Sequence, residues 1–459
     1  MKRLTLLMML LMLVLETASV VYAAAEASTA TVFVSGEETK ITLAGELRFR
    51  GWFSHNLKDQ LDDKYYTAGM KNVGDDHSAY YDGQVRLNVD VRVGKAVEGF
   101  LEIESGTNTS DLWIWGTGTG NTGAYPNGNT KIDSLKIRQA WLLYTYDIYG
   151  FKVGHQLWFL GNKLFLDHTK FGDDGVRVVI DPTRDVHIEV STIKFNEQLN
   201  NYPDDSDAYI ALVDYKGGGL NLSADATFIN DQGFSALFPA YSHAHIWNLG
   251  LRGNYMLGAA TLRGDIELQA GRLDGIGNVD DATVKGWAGL AGIDYRLSDG
   301  VPVVLTLEAA YGSGKSAEDK GRDFKTFITS LGTEPHYTFV YDYVLKTAAG
   351  STFTGIANTF YIKGGANARF TKDLDGELYV YELQAAQKMA LNGGAPSKNL
   401  GVEIDGKLTY RLAKNLTYYV EGGYMFVGQA YDTVIRVLPT RETERSNAYA
   451  LRNRVQFSF

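Results

Sequence analysis

The chain alternates apolar and polar residues over much of its length. Its final segment does so without a break. Tyr449, Leu451, Val455, Phe457 and Phe459 share one parity, with Asn453 as the only polar member of that row; Ala450, Arg452, Arg454, Gln456 and Ser458 take the other. A period of two places the two sets on opposite faces of a strand. The pattern recurs over 41–53, 84–93, 260–271 and 400–412. In 84–93, Val85, Leu87, Val89, Val91 and Val93 stand against Gln84, Arg86, Asn88, Asp90 and Arg92. In 400–412, Leu400, Val402, Ile404, Leu408, Tyr410 and Leu412 stand against Glu403, Asp405, Lys407, Thr409 and Arg411. A soluble sandwich would not sustain faces so charged on strands so long. In a transmembrane barrel the apolar face meets lipid and the polar face lines a lumen.

The connections alternate as well. Tight turns such as Gly94-Lys95-Ala96, Gly217-Gly218-Gly219, Leu257-Gly258 and Ala413-Lys414-Asn415 use turn-forming residues. Between them lie long polar stretches, notably 54–79, 106–133, 158–175 and 314–356. The count gives eighteen strands, and sixteen if the short segments 150–157 and 176–181 are wrongly split. The predicted fold is all-β: a transmembrane antiparallel up-and-down barrel with short periplasmic turns and long extracellular loops. Outward aromatics gather at both ends of the strands, with Tyr255, Tyr295, Phe370 and Phe459 at one and Phe53, Trp247, Phe426 and Tyr449 at the other. Two aromatic girdles are expected at two membrane interfaces.

Composition narrows the picture. Lys2 and Arg3 precede an apolar run from Leu4 to Leu15, and small residues follow to Ala23. That run is too short for a membrane helix and reads as a signal peptide, residues 1–23. Residues 24–39 read as a short periplasmic lead-in, and 40–459 as the barrel domain. No later stretch approaches ~18 consecutive apolar residues. The chain has no Cys, which excludes disulfides and thiolate metal sites. Its net charge of −10 argues against nucleic acid as a partner.

Six arginines share the lumen-facing parity near mid-strand. The last strand must close against the first, so Arg452 and Arg454 neighbour Arg48 and Arg50. Arg86 follows on the second strand and Arg138 on the fourth. This basic arc either sets a field across the lumen or pairs locally with Glu46, Asp90 or Glu102 and buttresses the wall. Acids in the long stretches (Asp62-Asp63, Asp75-Asp76, Asp204-Asp205, Asp207, Asp280-Asp281) either bridge Ca2+ or Mg2+ to lipopolysaccharide phosphates or are simply solvated; no other cofactor or metal is expected. Gly312-Ser313-Gly314-Lys315-Ser316 mimics a phosphate loop without its first Gly, and His243 and His245 lack further metal ligands nearby. No catalytic residues stand out, so no enzyme is expected; a membrane-barrel lipase or protease is the different-class alternative.

The signal peptide, the hairpin series and the terminal Val455-Gln456-Phe457-Ser458-Phe459 together resemble the trimeric porins of Gram-negative outer membranes. The resemblance covers nearly all of the mature chain as a pattern. It implies a water-filled channel for ions and small hydrophilic solutes, homotrimeric and set among outer-membrane lipid and lipopolysaccharide. It implies that Val455, Phe457 and Phe459 form the signal read by the barrel-assembly machinery. Phe151–Gln156 resembles the family's fifth strand, and Leu157 to Gly175 its third loop, which folds inward. Asp167, Asp173 and Asp174 on that loop would then face the arginines across a constriction. Eighteen strands are closer to substrate-selective members, so a channel selective for anions, carboxylates or sugars is the alternative function.

Overall fold

The computed structural model describes residues 30–34, 39–57, 77–105, 113–114, 135–197, 205–234, 240–297, 302–316, 318–329, 337–341, 355–391, 394–437 and 440–459. The signal segment, most of the lead-in, Asp62, Asp63, Asp75, Asp76 and Asp204 lie outside them. Eighteen long antiparallel strands form one closed sheet. They are β1 Thr39–His55, β2 Ser78–Val93, β3 Val97–Ser105, β4 Leu135–Tyr146, β5 Tyr149–Gln156 and β6 Asp173–Thr183. Next come β7 Val186–Asn196, β8 Ser206–Gly217, β9 Leu220–Asp231, β10 Tyr241–Leu257, β11 Ala260–Gly275 and β12 Trp287–Leu297. The last six are β13 Val303–Gly312, β14 Thr359–Arg369, β15 Leu374–Met389, β16 Ser397–Ala413, β17 Leu416–Val427 and β18 Ala448–Ser458. The strands called from the sequence are all present, and both segments of the doubtful hairpin are real. The second of them begins earlier than the alternation suggests, at Asp173. Within the lead-in, Ala30–Val34 pairs with the start of β1.

Burial is inverted relative to a soluble domain. Large apolar side chains such as Leu142, Leu249, Leu307 and Leu378 are more than half exposed, whereas Asp82, Glu104, Asp265, Glu267 and Glu403 are buried. Exposing so many apolar rows in water is untenable for a monomeric surface, where apolar patches beyond a few hundred Å² are rare. The outer surface is therefore a hydrocarbon-facing band. Rings at its long-loop rim contact one another around the barrel, as in the tilted pair Phe228–Trp247 at 4.9 Å and the stacked pair Trp287–Tyr311 at 4.7 Å. Among the described residues no helix is long and apolar enough to cross a membrane.

The polar inner face does not run the full length of every strand. At the long-loop end the inner row turns apolar, with Ile193, Ile210, Ile229, Ile246 and Leu273 on β7–β11. Trp158, Phe165 and Leu166, between β5 and β6, pack with them, as do Phe327, Val340 and Tyr341, between β13 and β14. Connections that fold into the barrel bring apolar side chains with them, and the wall supplies the matching surface. Leu400 joins this cluster although alternation from Val402 places it outside. The register shifts between Leu383 and Gln384 opposite Gly401, whose φ is +132°, and this bulge turns Leu400 inward.

The seam closes β1 on β18 from Glu46↔Ser458 to His55↔Tyr449. Beyond it, Phe459 N donates to Gly45 O at 3.0 Å, and Gly45 N donates to Phe459 O at 2.8 Å. The row's polar exception, Asn453, accepts a bond from Gly51 N at 3.0 Å. The Phe459 ring lies over Gly45, where an added Cβ would meet Phe459 Cζ at 2.5 Å and Arg86 O at 2.7 Å. An aromatic ring thus covers a bare glycine in the neighbouring strand. Gly45→Val is expected to destabilise the folded barrel by about 1–3 kcal/mol through overpacking. Urea titration in detergent, read by heat-modifiable gel migration, checks this; an unchanged midpoint would count against the contact.

Candidate channel constriction

The six arginines come together as the closure of the sheet requires. Arg50 lies directly opposite Arg454 in the seam, and Trp52 opposite Arg452. Arg138 occupies a bulge, where Glu102 pairs with Gln139 and Ile103 with Ile137, so the chain inserts it as an extra residue.

Most of the arc is paired with acids on adjacent strands. Arg50 makes a two-pronged bond to Asp82, at 2.8 and 3.1 Å. Arg86 bonds Glu104 at 2.9 Å, and Arg138 bonds Glu102 at 2.6 Å with Glu104 at 3.7 Å. Arg452 bonds Glu421 at 2.6 Å, and Arg454 approaches the same carboxylate at 3.9 Å. Arg48 differs. Among the described residues it makes no ion pair, and its Nε has no hydrogen-bond partner. Two further cations extend the arc without having been singled out in the sequence. Lys152 on β5 lies 3.7 Å above the Trp141 ring, and Arg177 on β6 lies 3.9 Å from the Trp158 ring.

Residues 157–172 cross the lumen from this wall. Their tip reaches β10 and β11, where Asn162 donates to Asp265 Oδ2 through its backbone N at 3.2 Å and its Nδ2 at 2.9 Å. Gly161 is required there: φ is +48°, and a Cβ would fall 1.8 Å from Arg252 Cδ. At the loop's base Arg138 donates to the carbonyls of Lys170 and Thr169. Of the three acids expected to face the arginines, only Asp167 lies on the loop; Asp173 and Asp174 open β6, and the pairing register puts Asp174, with His155, on the outward parity of Val153, Val176 and Val178. Asp167 pairs with Lys163 at 3.2 Å and accepts from Thr169 Oγ1 at 2.6 Å. Asp173 binds His168 at 2.6 Å, and Asp174 binds His155 at 2.9 Å.

The wall across from the arc is acidic. Asp225, Asp265 and Glu267 surround Arg252, and all four side chains are almost completely buried. Asn248 donates to Glu267 at 2.7 Å. The loop thus joins a wall rich in arginine to a wall rich in carboxylates. The alternation over 260–271 puts Asp265 and Glu267 on the polar face opposite Ile266 and Leu268, but nothing in it joins them to Asp225 and Arg252. The β9–β10–β11 register supplies that link, with Asp225↔Gly250 and Arg252↔Asp265.

A second connection also folds in. Phe339 N, Val340 N and Tyr341 N donate to the Glu403 carboxylate at 2.5–2.9 Å, and Phe339 N also donates to Asp405. The remaining sequence candidates are engaged in local contacts. Ser313 Oγ donates to Lys325 O at 2.7 Å, and Lys315 Nζ to Gly321 O at 2.7 Å, within a surface turn. His243 contacts Ser242 Oγ at 3.2 Å. Asp205 and Asp207 pair with Lys194, Asp280 with Arg322 and Asp281 with Arg272. Among the described residues no group of three or more His, Asp or Glu side chains is arranged to hold a metal.

No protein-family model and no curated protein sequence matches the chain. Solved structures do. The chain is similar to Pseudomonas aeruginosa OpdL, with a TM-score of 0.55 at 12% identity over 91% of this chain and 98% of that one. It is also similar to OpdK, an outer-membrane protein of the same organism solved with vanillate, with a TM-score of 0.54 at 12% identity over the same shares. OccK8 (OprE) matches with a TM-score of 0.53 at 11% identity, again over 91% and 98%. The fold is that of the 18-strand outer-membrane porins, a barrel class of the Gram-negative outer membrane.

Gly161→Val is expected to lift the loop tip off Arg252 and widen the passage. Single-channel conductance in planar bilayers should rise, with the barrel still folded by gel migration. Conductance at or below the unsubstituted value would contradict this placement of the loop.

Proposed function

We propose that the protein is a passive channel through the outer membrane for ions and small hydrophilic solutes. The observation that carries this reading is the loop 157–172 bridging a basic and an acidic wall inside a closed 18-strand barrel. Barrels of sixteen to eighteen strands enclose an aqueous passage, and charges at its narrowest part set selectivity. The arc arginines act in two ways. Those bonded to Asp82, Glu102, Glu104 and Glu421 stiffen the wall, while Arg48, without an ion pair, presents net positive charge to passing solutes. Asp167 and Asp173 shape the constriction by holding the loop through Lys163, Thr169 and His168, whereas Asp174 ties β6 to His155 on the outward side.

A second reading, a substrate-selective channel, is favoured by the segment 337–341, which occupies part of the lumen against β16. The same proposal includes homotrimer assembly among lipid and lipopolysaccharide. It also includes recognition of Val455, Phe457 and Phe459 by the barrel-assembly machinery. The stacked, lipid-facing pair Phe457–Phe459, 5.7 Å apart, supports that recognition.

Reversal potentials in a KCl gradient test the channel reading. Arg48→Ala is expected to weaken anion preference and raise conductance. Arg452→Ala is expected to move selectivity further toward cations, because it also releases the negative charge of Glu421. Unchanged currents in both would assign these arginines a purely structural role.

A further inference from the structure

A recess of about 360 Å³ opens on the lumen between the segment 337–341 and the wall from β14 to β18. Small-molecule sites run from ~300 to 1,000 Å³, so this one suits a solute of one or a few rings. Its chemistry differs from that of the arc. Three cations line it, Lys363, Lys407 and Arg452, and three carboxylates, Glu377, Asp405 and Glu421. Their formal charges balance, three against three: Lys407 bonds Glu377 at 3.1 Å, Arg452 bonds Glu421 at 2.6 Å, Lys363 reaches Glu308 at 4.0 Å, and Asp405 accepts Phe339 N at 2.9 Å. An anionic solute taking Arg452 would have to break a bonded pair and leave the Glu421 carboxylate buried and uncompensated, and one taking Lys407 would free Glu377 beside it.

The remaining lining is aromatic. Tyr337, Phe339, Tyr379 and Tyr381 face the recess. The Lys363 ammonium stands 4.4 Å from the Tyr379 ring, and the Arg452 guanidinium 5.3 Å from the Phe339 ring. Among the described residues the Tyr379 and Tyr381 hydroxyls have no hydrogen-bond partner within the protein, and each can both donate and accept. Flat apolar faces, a dense rim of donors and acceptors, and no net charge complement a ring that is apolar on its faces and hydroxylated around its edge. We infer that this recess is a binding subsite for a neutral polyhydroxylated ring, a pyranose or short saccharide. The inference rests on the channel reading and names a solute class for it.

The test uses the full mature barrel with maltotriose as the neutral probe and benzoate as the anionic one. Maltotriose should interrupt the single-channel ion current in a saturable way, and benzoate should not compete with it. Tyr379→Ala should weaken the half-saturation concentration about tenfold, in keeping with the worth of an aromatic contact. Tyr379→Phe, which retains the ring, should recover most of that loss. The lipid-facing Tyr255→Ala should behave as the unsubstituted protein. Calorimetric titration of the detergent-solubilised barrel with maltotriose reads binding without current, and so separates the two claims. Conduction without maltotriose binding, or current block by benzoate alone, overturns the subsite and leaves the channel standing. Maltotriose binding to a barrel that does not conduct overturns the channel reading alone.

Discussion

Everything in this molecule follows from one constraint: a backbone amide facing hydrocarbon must find its partner inside the protein. An open sheet edge in lipid leaves a row of donors and acceptors unpaired, at several kcal/mol per group. Eighteen strands meet that demand by returning the last to the first. The paired exchange between Gly45 and Phe459 completes the ladder at the chain terminus. With the backbone satisfied by closure, side chains need not supply a conventional core, and a chain without Cys can be held together while it points greasy rows outward.

Closure leaves the interior free to be divided. Near mid-strand, charges ladder across adjacent strands, and each arginine of the arc except Arg48 meets a carboxylate that the register places beside it. Toward the long-loop end the same inner face turns apolar and packs against connections that fold inward. These two regions support each other. The dry cluster anchors the loops in fixed positions, and the loops bring polar groups such as Asn162 to the charged wall. A constriction built this way narrows the passage without requiring any one connection to be rigid by itself.

Much of this was legible in the chain. Parity along the strands predicts the inverted burial, the turn chemistry predicts the short connections, and the two together give eighteen strands. Closure alone predicts that Arg452 and Arg454 meet Arg48 and Arg50. What was not legible depends on register and on bulges. Asp82, Glu104 and Glu421 are ordinary lumen-parity acids until the pairing sets each beside an arginine. A single extra residue at Arg138 or Leu400 resets parity, and nothing in the local composition marks where. Ile193, Ile229 and Ile246 sit on the lumen parity yet are dry, because residues far away in sequence cover them.

The central claim is that alternate side chains touch hydrocarbon outside and a polar interior within. The absence of native Cys permits a direct measurement: single cysteines introduced one at a time along β10, from Ile246 to Arg252, in protein reconstituted into lipid. A bilayer-soluble spin label should quench fluorophores attached at 247, 249 and 251 and spare those at 246, 248, 250 and 252. Uniform quenching across the series, or quenching confined to the even positions, would contradict the inverted barrel and everything built upon it.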